Sequence, residues 1–304
     1  MPKAIFTTKV DPSYDDLPEE RYHFPHTYLR QVQAAVGDWV IYYEPRRPSA
    51  DLSSRGGRQS YFAAARVRDI LQDPSNDDHY YALIADFLEF DRAVPFQEGG
   101  RYYEDALKRE DGKTNKGAFG RAVRGINDLE FEAILQAGFA MILEEVEPRQ
   151  RNTSTGGRVY QVAEEPAEFE RPIVEQVIAR PFRDAAFAAA VKTAYRETCA
   201  VTGLRIINGG GRAEVQAAHI RPVAEGGSDS VRNGIALSGT VHWMFDRGLI
   251  SFDDDHAILV AKDRLPDTAL RLIRDERRLI LPERSDALPH PAMLRFHREH
   301  VFKG

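Results

Sequence analysis

The chain has 304 residues, 42% apolar and 29% charged, with a formal net charge of −6, a composition that fits a folded globular protein and excludes a low-complexity chain. No apolar run reaches the roughly 18 residues that a membrane span needs, and the start MPKAIFTTKVDPSYDD lacks the apolar core and small-residue cleavage site of a secretory signal, so a cytoplasmic protein is expected. The one cysteine, Cys199, rules out an internal disulfide and a cysteine-built structural zinc cluster, and is expected to serve as a small apolar packing residue. The length leaves room for two domains, and charge is unevenly shared between them. Residues 1–165 hold 21 Lys+Arg against 28 Asp+Glu, a net of −7, whereas residues 166–304 hold 20 against 19, a net of +1.

In chain order, Ala4 to Val10 predicts an opening strand. A turn-rich stretch follows, and His23, Phe24, Pro25, Tyr28 and Leu29 lead into a short helix ending near Ala35. Gly37 turns the chain into the strand WVIYY at 39–43. The loop EPRRPSADLSSRGGRQS carries Arg46, Arg47, Arg55 and Arg58, and a second strand runs from Tyr61 to about Ile70. Tyr80 to Phe90 predicts a third strand. In NKGAFGRAVRGI, Phe119, Val123 and Ile126 recur at roughly helical spacing, and a helix is expected from Asn127 to Ala137, stopping before Gly138.

The segment GDWVIYYEPRR followed by YFAAARVRDI resembles the PUA-like (SRA-like) readers of modified bases found upstream of nuclease domains in restriction proteins. That resemblance implies a β-barrel-type domain over residues 1–148 that takes a modified cytosine out of the duplex into an aromatic pocket. Trp39, Tyr42, Tyr43, Tyr61 and Phe62 are the pocket candidates, although a strand alternates its faces and each ring has core packing as its competing reading. Arg46, Arg47, Arg55 and Arg58 are candidates for phosphate contact, against a solvated loop.

Residues 149–170 have the composition of a connector, RNTSTGG followed by an acidic run without apolar period. Residues 171–304 would then form the second domain. In it, IVEQVIAR predicts a helix broken at Pro181, and DAAFAAAVKTAYRETC predicts another with Phe187, Val191 and Tyr195 on one stripe. Next come a strand with Leu204, Ile206 and Ile207, the Gly209–Gly211 turn, and a strand from Glu214 to Ile220. Pro222 stops it, Gly226 and Gly227 turn the chain, and Ser238 or Thr240 can cap a helix carrying His242, Met244, Phe245 and Asp246, with Trp243, Met244 and Phe245 expected in the core. Beyond it, AILVA predicts a strand and DTALRLIRDERRLILP a possible helix with Arg271, Arg274, Arg277 and Arg278. His290, His297 and His300 could bind metal only if folding joins them.

The order AHIRP, RNG, LSG and HWMFDRGLI resembles the HNH nuclease family, which folds as a ββα-metal finger; the likeness covers roughly residues 196–260. It implies an α+β chain ending in a nuclease domain that hydrolyses DNA phosphodiesters with a divalent ion of the Mg²⁺ or Mn²⁺ class. By resemblance, His219 is the general base, Asn233 the loop asparagine that orients it, and His242 a metal ligand on the helix. The family often places an acidic ligand just before the base histidine, where this chain has Ala218. Asp246 is the best substitute, because i and i+4 share a helix face; Glu214 and Gln216 lie on the strand but further back. Arg221, Arg232 and Arg247 are further phosphate candidates.

Such residues suit the chemistry. Attack on a phosphodiester needs neutralised charge at the phosphate and a base for the attacking water, and imidazole titrates in the working range. One finger cuts one strand, so cleavage of double-stranded DNA implies a homodimer. Two other readings remain open: a DNA-binding protein that keeps the finger as scaffold, which Ala218 motivates, and an HNH enzyme acting on unmodified DNA.

Overall fold

A computed structural model describes residues 3–8, 17–45, 57–143, 177 and 179–304. The chain divides into two compact units, one formed by Met1–Ala85 and Phe90–Ala186, the other by Asp86–Glu89 and Phe187–Gly304. The expected connector at 149–170 lies outside the described residues.

The first unit holds strands β1 (Lys3–Thr7), β2 (Arg21–Pro25), β3 (Trp39–Glu44), β4 (Ser60–Gln72) and β5 (His79–Pro95), a two-residue hairpin of β6 (Gln97–Glu98) and β7 (Arg101–Tyr102), and β8 (Val123–Ile126). Six of them form one sheet in the order β2-β5-β4-β3-β1-β8. Its β1 runs parallel to β3 and antiparallel to β8, while β3 pairs antiparallel with β4 across an irregularity at Tyr42/Tyr43. Among the described residues the two ends of that order stay apart, and the sheet is a curled half-barrel in a mixed α+β fold. The central strand β3 is buried from Trp39 through Tyr43, on both faces, as a strand flanked on both edges and covered on both sides must be.

Helix α1 (Leu29–Ala34), the single turn α2 (Lys116–Phe119) and α3 (Asp128–Gly138) complete the unit. Two expectations change here. Val123 and Ile126 do not continue a helix from Phe119: they belong to β8, because pairing along β1 buries them, and local period loses to that ladder. Helix α3 also runs through Gly138 instead of stopping before it. A Cβ at 138 would stand 2.5 Å from the Phe90 ring, so this glycine is a close-packing position. The start of α3 carries a capping box, in which Asn127 Oδ1 accepts from Glu130 N at 2.9 Å and Glu130 Oε2 accepts from Asn127 N at 3.0 Å.

Inside this unit lies a buried ion pair. Arg124 donates through Nε and Nη2 to the two oxygens of Glu104, both at 2.8 Å, and through Nη1 to Thr7 Oγ1, while Tyr61 donates its hydroxyl to Glu104 Oε1 at 2.7 Å. The side chains of Arg124 and Glu104 are 3% and 1% exposed, so neither charge has water to turn to. Such a pair tolerates no half-removal.

The second unit holds the end of α4 (Arg180–Ala194), β9 (Gln216–His219), β10 (Gly234–Leu237), α5 (Gly239–Asp246), β11 (Ile250–Phe252), β12 (Ile258–Val260), the short α6 (Asp267–Leu270) and α7 (Pro291–His300). Most of IVEQVIAR lies outside the described residues, and Pro181 sits in the first turn of α4, where its missing N–H costs nothing. The stripe Phe187, Val191 and Tyr195 is buried as expected, in one core with Cys199, Val215, Ala218, Ile235, Leu237, Phe245 and Phe252. Strand β12 pairs with β11 as AILVA predicts, but only one turn of helix forms within DTALRLIRDERRLILP.

The tail histidines do not converge. His290 caps α7, accepting from Ala292 N at 3.1 Å, and His300 Nδ1 bonds to its own helix at Phe296 O. His297 is sealed in the core, stacked 3.8 Å from the Phe245 ring, with Ser251 Oγ 2.9 Å from Nδ1 and the Phe245 carbonyl 3.2 Å from Nε2.

Replacing Glu104 with Gln strands the Arg124 charge, and we expect the first unit to lose about 3–5 kcal/mol in denaturant unfolding. Burial pulls the His297 pKa from 6.5 down to about 4. The unfolded chain therefore takes a proton below about pH 6.5 that the folded chain refuses until about pH 4, and stability falls as pH drops through that window. Thermal melts of His297→Gln across that range should show a shallower acid loss than wild type.

Candidate active site

Strands β9 and β10 pair antiparallel with His219 opposite Gly234 and Ala218 opposite Ile235. The expected partner stretch before the glycine turn does not form that strand: Leu204, Ile206 and Ile207 are 47%, 52% and 38% exposed. Their loop is closed instead by Asn208, whose Oδ1 accepts from Gly210 N and Arg212 N. The GIAL segment of β10 is buried throughout and supplies the apolar partner that β9 needs.

His219 ends β9. Its ring stacks on Phe187 of α4 at 3.8 Å and 9°, and its Nε2 lies 3.0 Å from Asp229 Oδ1. Gly234 is required beside it, since a Cβ there would come within 2.3 Å of Val191 Cγ2. Sequence reading passed over Asp229; its one signal was a carboxylate within the loop joining the two histidine-bearing elements.

Asn233 is 1% exposed and spends its whole carboxamide on the loop. Its Oδ1 accepts from Arg221 N at 2.8 Å, and its Nδ2 donates to the carbonyls of Arg221 and Ser228, both at 2.9 Å. The backbone directly after His219 is thereby tied to the backbone before β10. Gly227 permits the closure, because a Cβ there would strike Arg221 O at 1.9 Å and Asn233 Nδ2 at 2.8 Å.

On α5, His242 Nε2 lies 3.5 Å from Asp246 Oδ2, the i and i+4 neighbours meeting on one helix face. Gln216 Oε1 lies 2.8 Å from His242 Nδ1. With Nδ1 donating to this oxygen, Nε2 beside Asp246 is left with the lone pair that a metal ligand needs. Of the alternative ligands, Glu214 is taken: its Oε1 accepts from Gly239 N at 2.9 Å, capping α5 in place of Ser238, whose side chain makes no cap bond. Ala218 is fully buried, so its position offers apolar packing and no donor. One imidazole and one carboxylate, with the rest of the shell left to water and phosphate oxygens, fit a hard divalent ion such as Mg²⁺ or Mn²⁺. Among the described residues no group of three or more His, Cys, Asp or Glu side chains is placed to hold a metal.

Trp243 is a correction: it is 58% exposed, with the Arg247 guanidinium 5.8 Å over its ring, whereas Met244 and Phe245 are core residues as expected. Arg221 donates through Nε to Glu225 O at 2.7 Å and lies over the Phe296 ring, and Arg232 is half-buried. In the first unit, Arg46, Arg47 and Arg55 lie outside the described residues. Arg58 pairs with Glu44 and covers the Phe62 ring at 4.6 Å. Trp39, Tyr43 and Tyr61 are core residues, with Tyr43 and Tyr61 packed at 5.2 Å, and Phe62 is half-buried.

Residues 199–253 match the HNH endonuclease family. No curated protein matches the chain. Among solved structures, the modification-dependent TagI restriction endonuclease is similar at 16% identity and a TM-score of 0.29, over 91% of this chain and 66% of that one. The N-terminal domain of Staphylothermus marinus McrB is similar at 12% identity and a TM-score of 0.30, over 43% of this chain and 92% of that one. The type IV phosphorothioation-dependent restriction endonuclease ScoMcrA shows 14% identity and a TM-score of 0.18, over 80% of this chain and 46% of that one. The chain thus spans just under two thirds of the TagI structure.

The latch gives a direct expectation. Asn233→Ala leaves three partly buried backbone groups without their partner and should cost roughly 3 kcal/mol, read as a fall in the unfolding free energy of the second unit.

Proposed function

We propose that this chain, which carries an HNH endonuclease domain at residues 199–253, is a divalent-metal-dependent DNA endonuclease that restricts DNA bearing a modified cytosine. The observation that carries the reading is the placement of His219 at the end of β9 and of His242 with Asp246 on α5, the His242 ring meeting Gln216 of that same strand. Gln216 holds the ligand histidine from a point three residues before the base on the same strand, about 10 Å along it.

In this reading His242 Nε2 and Asp246 hold the ion, which when bound neutralises charge at the scissile phosphate and on the leaving oxygen. His219 takes the proton of the attacking water, and Phe187 fixes the plane of its ring. Asn233 keeps base and loop in register. Arg247, exposed over Trp243, is the arginine best presented to a phosphate; Arg221 and Arg232 also lie on this loop and helix. Two copies of the chain cut the two strands of a duplex.

The first unit is the reader, a role supported by its sequence likeness to PUA-like domains and consistent with the curled sheet. Arg46, Arg47, Arg55 and Arg58 contact the phosphates. Phe62, half-buried under Arg58, is the most accessible member of the aromatic set for a flipped base, and Trp39, Tyr43 and Tyr61 are the other candidates.

The test is cleavage of matched plasmids carrying cytosine, 5-methylcytosine or 5-hydroxymethylcytosine, with Mg²⁺, Mn²⁺ or chelator. Wild type should cut one modified plasmid, and chelator, His219→Ala and His242→Ala should each lower the rate by at least about 10²-fold. Equal cutting of all plasmids would remove the modification-dependent reading. Tight binding without cutting in any metal would favour the scaffold reading that Ala218 motivates.

A further inference from the structure

The loop that Asn233 latches also delivers a buried acid to the edge of the base histidine. Asp229 has a side chain only 7% exposed, and its Oδ1 lies 3.0 Å from His219 Nε2. An ionised carboxylate can only accept a hydrogen bond, so Nε2 must carry the ring proton and the lone pair falls on Nδ1. The ring is held on its face as well, by Phe187 at 3.8 Å and 9°. Edge and face together fix both the plane of the imidazole and the identity of its basic nitrogen.

We infer that Asp229 is a positioning residue for the hydrolysis, presenting Nδ1 of His219 as the nitrogen that accepts the proton of the attacking water; this rests on the nuclease reading. In the step, the water proton moves to Nδ1, the oxygen–phosphorus bond forms, and the bond from phosphorus to the leaving oxygen breaks. The imidazolium then lies against the Asp229 carboxylate, and the attraction is strong because the acid is screened from solvent. Asp229 touches neither substrate nor ion. It acts through His219.

Two measurements test this on the full chain. In ¹⁵N-histidine NMR of wild type, with His219→Gln identifying the signal, His219 should show a protonated Nε2 and a bare Nδ1 at neutral pH. An Nδ1–H form would overturn the inference, and this arm requires neither cleavage nor an acid variant that folds. In single-turnover cleavage, Asp229→Asn should lower the rate on the order of 10²-fold while DNA affinity changes less than about twofold. The carboxamide can meet Nε2 with its NH₂ group, which moves the ring proton onto Nδ1, and the variant spectrum should show that switch. A fully active Asp229→Asn, or one whose loss is entirely in DNA affinity, would also overturn it. If wild type cuts no DNA, the nuclease reading fails on its own, and the spectrum still decides which nitrogen Asp229 protonates.

Discussion

A single buried carboxamide governs the second unit. Asn233 ties the residue after His219 to the loop that precedes β10, and through that tie the positions of His219, Asp229 and the start of β10 become one problem. The glycine at 227 and the glycine at 234 are the steric counterparts of the latch. Each stands where a methyl group would collide with backbone or with α4, so the loop is as tight as its hydrogen bonds require. The site thereby inherits its precision from backbone closure, and its few polar side chains are left for chemistry.

The first unit solves a different problem in a similar way. There the long-range tie is ionic: Glu104 receives Arg124 and Tyr61 at once, joining a loop, the edge strand β8 and the central region of the sheet. A fully satisfied polar network of this kind selects one arrangement of a largely aromatic core, in which Phe6, Tyr22 and Tyr42 already stack and cross.

What could be read from residues alone followed the reach of the interactions. Strands β3, β4 and β5 were legible because β-branched and aromatic runs bounded by turns are local signals, and the stripe of Phe187, Val191 and Tyr195 was legible because it repeats on one helix. The i, i+4 pairing of His242 with Asp246 is likewise local, and the two side chains do meet. Non-local facts were harder. Nothing near Val123 says that β1 will take it into a sheet, and nothing near Gly138 says that Phe90 will fill the space of its missing side chain. The finger's strands were assigned across the nearer glycine turn, while the chain pairs β9 with β10 across the longer loop, because burial of Ile235 and Leu237 outweighs a short connection. Asp229 escapes the sequence for the same reason, and Gln216 shows there only as a strand residue set back from His242 and Asp246: each meets its histidine across space.

The exposure of Trp243 gives the molecule two optical labels of opposite kind. The chain has two tryptophans, and Trp39 is 5% exposed inside the first unit while Trp243 is 58% exposed, one residue from His242. Their emission is therefore separable: a buried, blue-shifted indole on one unit and a water-facing, red-shifted indole on the other. A dissolved quencher such as iodide reaches the second and spares the first, so the surface beside His242 carries its own reporter of whatever comes to cover it.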